Sequence, residues 1–179
     1  RKIALKRIRK ELASYQVIRD RFIQEAKIAS RLFHPSIIPI YNIYEEKDDL
    51  FYTMPYIEGR NFKELLKAVK AKESGYQDFG SLASLMRILL HLCQVICYCH
   101  SQGIIHRDVK PENVIIGEFG QVFLVDWGLA TYVNQETKEI DLPSLDHKLT
   151  RPGKVVGTLS YMPPERLDEM QAHEHLDLY

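Results

Sequence analysis

The sequence predicts an α+β chain built as two lobes. Three observations lead there. A strand-like run is followed by a stretch with helical periodicity, two β-rich runs flank a short charged turn, and from residue 58 to 113 the apolar spacing is mainly helical.

Taken in order, "KIALKRI" is locally basic, but its apolar positions Ile3, Leu5 and Ile8 suggest a strand with a solvated face. "SYQVIRDRFIQEAKIASRLF" places Ile18, Phe22, Ala26, Ala29 and Phe33 at helical spacing, so an amphipathic helix is expected, broken by Pro35 in "HPSII". "IPIYNIYEE" and "DLFYTMPYI" are β-rich runs around "KDD", a hairpin signal. "EGRN" then changes the pattern. Lys67 to Ser84 is polar with two glycines and is expected to be a surface insertion between helices. In "IIHRDVKPENVII", Ile104 to Ile116, apolar flanks read as two short strands entering and leaving a loop. "VFLVDWG" reads as a strand that ends in an acid and a glycine. From Thr131 to Gly157 the periodicity disappears, which predicts a long polar loop.

Bulk properties exclude several function classes. Among 179 residues, 24 Lys+Arg balance 24 Asp+Glu, which removes any general attraction to nucleic acid or an anionic membrane. Cys93, Cys97 and Cys99 lie in one apolar stretch followed by His100. The ligand set for a metal is incomplete, so buried thiols are expected, as suits a reducing compartment. No signal-peptide pattern is seen. The longest apolar stretch, Leu85 to Cys99, is interrupted by Arg87, His91 and Gln94 and reads as too short and too polar to span a bilayer. The chain starts mid-pattern at Arg1 and stops at Tyr179 without a helix stop signal, and so is expected to be a piece of something longer.

The chemistry concentrates in two places. Singly, Asp108 reads as a turn residue, Asn113 as a cap and Lys110 as a solvated cation. Asp126, at the end of the strand before Trp127-Gly128, changes that reading. Asn113 and Asp126 offer hard oxygen ligands suited to Mg²⁺, which takes few protein ligands beside phosphate oxygens. Asp108 is then free to orient a hydroxyl or accept its proton, and Lys110 to neutralise a transferring phosphoryl group.

At this point the chain resembles the protein kinases. "HRDVKPEN" is similar to the kinase catalytic loop, "DWG" to the metal-binding element, and "IALK" to the strand that carries the phosphate-binding lysine. "GTLSYMPPE", Gly157 to Glu165, resembles the end of the activation segment, and "DLY", Asp177 to Tyr179, the start of the helix supporting the catalytic loop. The resemblance implies a protein-kinase-like bilobal fold, truncated at both ends: an incomplete N-lobe over 1–57 with helix C and hinge, and an incomplete, mainly helical C-lobe over 58–179 with catalytic loop and activation segment.

It also implies roles. Lys6 reaches the α- and β-phosphates of ATP, and Glu25 pairs with Lys6. Met54 stands behind the adenine. Pro55 offers its C=O, and Ile57 its N–H and C=O, to the base, which Ala4 and Ile115 sandwich. Asp108 and Lys110 are catalytic, while Asn113 and Asp126 hold Mg²⁺ or Mn²⁺. Lys110 resembles the serine/threonine class. Thr158 is expected against Asp108 and Lys110. Arg107 is expected to receive an activating phosphate, with Thr150 in "HKLTRPGKVVGT" its carrier. A narrower resemblance, carried by "FIQEAKIASRLFHPSIIPIY", "YTMPYIEG", "VDWG" and "PGKVVGTLSYMPPERL", is to bacterial serine/threonine kinases of the PknD type found in intracellular bacteria; Trp127 in place of the usual Phe and the 67–84 spacer fit it.

The implied partners are ATP and proteins bearing Ser or Thr, with no nucleic acid, a cytoplasmic kinase domain, and a dimer for trans-autophosphorylation. The family's glycine-rich loop precedes the strand of Lys6 and the remaining helices follow Asp177, so residues 1–179 alone are expected to be inactive. A pseudokinase, a binding module on the same fold, is the alternative. The joint presence of Lys6, Glu25, Asp108, Asn113 and Asp126 favours the enzyme.

Overall fold

A computed structural model describes residues 2–46, 49–133, 161 and 177. Strands β1 (Ile3–Arg7), β2 (Asn42–Glu46) and β3 (Asp49–Pro55) form an antiparallel sheet in the order β1-β3-β2, with Lys6 opposite Tyr52 and Ala4 opposite Met54. Helix α1 (Gln16–Arg31) crosses this sheet. Alternation along β3 sends Leu50 and Tyr52 toward the helix, where they meet Phe22, Ala26 and Ile8 in a small core. The Phe22 and Tyr52 rings sit 5.1 Å apart.

The next turn of α1 belongs to a second, larger core, because Ile28 and Ala29 pack with Leu65, Val95, Val114 and Leu124. One helix therefore serves both hydrophobic clusters. It ends at Arg31, before His34-Pro35, with Leu32 already extended. Phe33, read as part of the apolar stripe, therefore leaves the helix and is 84% exposed. The chain then docks beside Leu124, whose N–H donates to the Ser36 carbonyl and which forms an isolated parallel bridge with Ile37.

The remainder comprises β4 (Gly59–Asn61), α2 (Phe62–Lys70), α3 (Leu82–Ser101), β5 (Ile104–Ile105), β6 (Val114–Gly117), β7 (Val122–Leu124) and β8 (Thr131–Tyr132). β4, β6 and β7 form one sheet, with β6 in the centre, and β5 pairs antiparallel with β8. Gly59 is required by the β4–β6 approach, since a Cβ there would lie 2.3 Å from the Ile116 carbonyl oxygen. Asn61 caps α2 by accepting from Glu64 N–H, and Ser81 caps α3 by accepting from Ser84 N–H.

Several expectations need correction. The polar insertion is shorter than 67–84, because α2 continues through Lys70 and α3 begins at Leu82; a 3-10 turn, Gln77–Gly80, lies between them. Thr131 and Tyr132, read as the start of a loop, are a strand too short to show periodicity. The rest of that loop lies outside the described residues. Cys99 is buried, and burial, with the nearby Asp177 carboxylate, pushes its thiol up to about 12. Cys93 and Cys97 are exposed, against expectation, because they occupy the opposite side of α3 together with exposed Met86, Leu89 and Leu90. By length and composition α3 is long and apolar enough to cross a membrane, contrary to the sequence reading of its apolar stretch. Its Ile88, Val95, Ile96 and Cys99 are nevertheless packed in the main core.

Candidate active site

Strand alternation turns Lys6 to the face of β1 that meets α1. Its ammonium lies 2.5 Å from Glu25 Oε1 and 3.2 Å from Asp126 Oδ1. Glu25 is buried on α1, one turn from Phe22 and Ala29, and also accepts from the Tyr52 hydroxyl at 2.7 Å. Burial lowers the Lys6 pKa, but the Glu25 and Asp126 carboxylates outweigh it, so the net shift is upward and the ammonium is held charged. Tyr52 is driven up by burial and then by Glu25, which keeps it a neutral donor. Sequence reading did not assign Tyr52. Alternation puts it on one strand face with Leu50 and Met54, but only the sheet register sets it opposite Lys6.

The second group sits between β5 and β6. His106 is fully buried and its ring meets Trp127 edge-on at 4.7 Å. Asp108 N–H donates to His106 Nδ1 at 3.3 Å, and Nε2 lies 3.2 Å from the Val125 carbonyl, which assigns the proton to Nε2. Burial lowers the His106 pKa, so the ring is neutral. Arg107 follows with φ +66°, a left-handed conformation unusual for a residue with a side chain. Asp177 holds this bend by accepting from His106 N–H at 2.8 Å and Arg107 N–H at 2.5 Å, with His100 Nε2 at 2.9 Å on the same carboxylate. The "DLY" match anticipated a supporting element here. The roles of His100 and His106 were not read from sequence.

Past that bend, Lys110 Nζ lies 2.9 and 2.7 Å from the two oxygens of Asp108. Asn113, closing a 3-10 turn over Pro111–Asn113, donates through Nδ2 to the Asp108 carbonyl at 2.9 Å and to its Oδ2 at 2.8 Å. Val125 N–H then donates to the Asn113 carbonyl at 2.9 Å, which sets the chain entering Asp126 beside this turn. Asp126 does not end a strand as expected. β7 stops at Leu124, and Asp126 takes φ +67° with its side chain half exposed. Lys63 pairs with Glu112 on the outer side of the turn.

These residues suit a divalent cation. Both Asn113 amide contacts are made by Nδ2, which leaves Oδ1 as an available oxygen, and Asp126 presents a half-exposed carboxylate. Among the described residues no group of three or more His, Cys, Asp or Glu side chains is placed to hold a metal. Two oxygen donors supplemented by phosphate match Mg²⁺ better than a metal that requires a protein cage. Met54 and Pro55 end β3, with Ile57 just beyond, and Ile115 lies in β6 opposite Phe123. Ala4 and Ile115 thus belong to different sheets. Thr150 and Thr158 lie outside the described residues.

The chain matches the family model described as "Protein kinase domain" over residues 1–179. It is 42% identical over 189 residues to the serine/threonine-protein kinase PknD of Protochlamydia amoebophila (strain UWE25), covering all of this chain and 19% of that protein. It is 43% identical over 187 residues to PknD of Chlamydia pneumoniae and 42% over 188 residues to PknD of Chlamydia felis (strain Fe/C-56), covering all of this chain and 20% of each. The chain thus spans about a fifth of the length of the curated relatives it matches. Family members use ATP and Mg²⁺ and act on proteins. With the family model matched along its whole length and relatives above 40% identical over all of it, the chain belongs to the protein kinase family.

Proposed function

We propose that this kinase domain transfers the γ-phosphate of ATP to Ser or Thr hydroxyls of proteins, including its own chain, in bacterial signalling. The observation that carries the reading is the bracketing of Asp108: Lys110 on both its oxygens and Asn113 on one, beside the Lys6–Glu25–Asp126 cluster. Asp108 orients the incoming hydroxyl and takes its proton as the oxygen bonds to phosphorus and ADP departs. Lys110, already beside that carboxylate, offsets negative charge on the phosphoryl group in flight. Lys6, held by Glu25, grips the remaining phosphates. Mg²⁺, when bound by Asn113 and Asp126, supplies electrostatic neutralisation of the phosphate oxygens.

Support for an N-lobe over 1–57 and a C-lobe over 58–179 comes from the sheets: β3 ends at Pro55 and the next sheet begins at Gly59. Three free cysteines fit a cytoplasmic setting. We further propose Thr150 as the activating phosphosite paired with Arg107, Thr158 as a contact of Asp108, and a dimer as the form that autophosphorylates.

The test uses the full-length protein with Mg-ATP and a protein substrate. Asp108→Asn should lower turnover by about a hundredfold or more while ATP still binds. Undiminished transfer in that variant overturns the assignment. A wild type that binds ATP without transferring phosphate points to a binding module instead.

A further inference from the structure

Arg31 and Tyr132 join the two halves of the site at a point outside it. Arg31 is the last residue of α1, the helix that carries Glu25, and its Nη1 donates to the Tyr132 hydroxyl at 2.8 Å. Tyr132 lies on β8, in register with Ile104 of β5, and β5 leads straight into His106, Arg107 and Asp108. The path from Glu25 to the catalytic turn therefore runs through α1, one hydrogen bond and one two-residue ladder.

The placement bears on helix rotation. At about 100° per residue, Arg31 projects about 240° around α1 from Glu25, so the two are on different sides of the helix. Phe22, Ala26, Ile28 and Ala29 already seat α1 on the two cores. The Arg31 contact, on a side away from Phe22 and Ala26, limits the small roll that such packing leaves. The backbone beyond α1 is anchored separately, by Phe33 N–H donating to the Tyr98 hydroxyl at 2.9 Å, which limits displacement of the helix end but not its roll. Tyr132 packs on the main core, while its other side borders an open cleft of about 510 Å³, lined also by Ile23, Lys27 and Ile28 of α1. Across that cleft, the Arg31 hydrogen bond ties the phenol directly to the helix.

We infer that Arg31 and Tyr132 are positioning residues that lock α1 in the rotation at which Glu25 holds Lys6. This rests on the reading of Lys6 as the group that grips ATP phosphates. If a fraction of molecules loses that rotation, apparent ATP affinity falls in proportion to the fraction lost. At saturating ATP, binding itself selects the competent rotation, so kcat changes little.

In the full-length kinase, Tyr132→Phe removes only the hydroxyl, and Arg31→Met only the charged head. Each should raise KM for ATP by about two- to tenfold, the range that loss of one hydrogen bond allows, with kcat nearly unchanged. The double variant should be no worse than either single one, and Arg31→Lys should recover part of the loss. Calorimetric Kd for ATP should move in parallel with KM, and supplies a readout independent of turnover. An unchanged KM and Kd in Tyr132→Phe overturns the latch while leaving the kinase reading intact. Additive effects in the double variant, or a lowered unfolding temperature with normal ATP affinity, overturn it equally. A wild type that neither binds ATP nor transfers phosphate overturns the site reading, and the latch with it.

Discussion

Lys110 straddles Asp108, with Nζ 2.9 Å from one carboxylate oxygen and 2.7 Å from the other. On the proposed reading, a cation in that position offsets the Asp108 charge before a substrate arrives and would offset phosphoryl charge during transfer. Lys110→Met should therefore lower kcat by about a hundredfold or more, with little change in ATP affinity. Single-turnover rates, compared with calorimetric ATP binding, check the split. Equal losses in both would place Lys110 in ground-state binding instead.

Among the described residues Asp126 pairs with Lys6, and its side chain is half exposed. Asp126→Asn should shift the Mg²⁺ dependence of phosphotransfer to higher concentration by about tenfold or more, because a charged ligand becomes neutral. The measurement is a Mg²⁺ titration at fixed ATP. Superimposable curves for variant and wild type would remove Asp126 from the metal site.

The Asp177 carboxylate is fully buried and accepts from His106 N–H and Arg107 N–H, so its loss should register as stability as well as rate. Asp177→Asn trades charge-assisted bonds for weaker ones and turns an amide toward existing donors. A loss of about 2–3 kcal/mol is expected in denaturant unfolding of the full-length protein. Wild-type stability would show that the bend at Arg107 is held by other contacts.

His106 makes stability fall in mild acid. Its folded pKa is depressed by burial, so the unfolded chain takes up a proton near its ordinary value of 6.5 while the folded chain resists. The contribution is complete above about pH 6.5 and declines as pH drops through the lowered folded value. Unfolding temperatures at about pH 7.5 and 5.5 should differ more in wild type than in His106→Gln, where that proton uptake is absent. Identical slopes would exclude His106 as the source.

Much of this arrangement was legible from sequence because periodicity and spacing carry it. Phe22, Glu25, Ala26 and Ala29 share one face of a helix, so the inward Glu25 was readable, and the 108–113 spacing places Asp108, Lys110 and Asn113 on one turn. What escaped was set by tertiary contact. β8 exists only because β5 is there to pair with it, and Phe33 is exposed because Pro35 ends the helix early. Cys93 and Cys97 differ from Cys99 by which side of α3 meets the core, and composition does not encode that choice. The Tyr52–Glu25 bond joins two elements whose relative placement local pattern cannot give.

The left-handed backbone at Asp126 makes position 126 look different to two kinds of selection. A residue with a side chain is strained there by about 1 kcal/mol, and glycine would relieve that strain. Glycine would also loosen the unfolded chain by a similar amount, and the exposed tie to Lys6 is worth little to folding. The effects nearly cancel. A library screened for expression would therefore treat 126 as tolerant, with Gly among the accepted residues, while the same library screened for phosphotransfer at low Mg²⁺ should favour Asp.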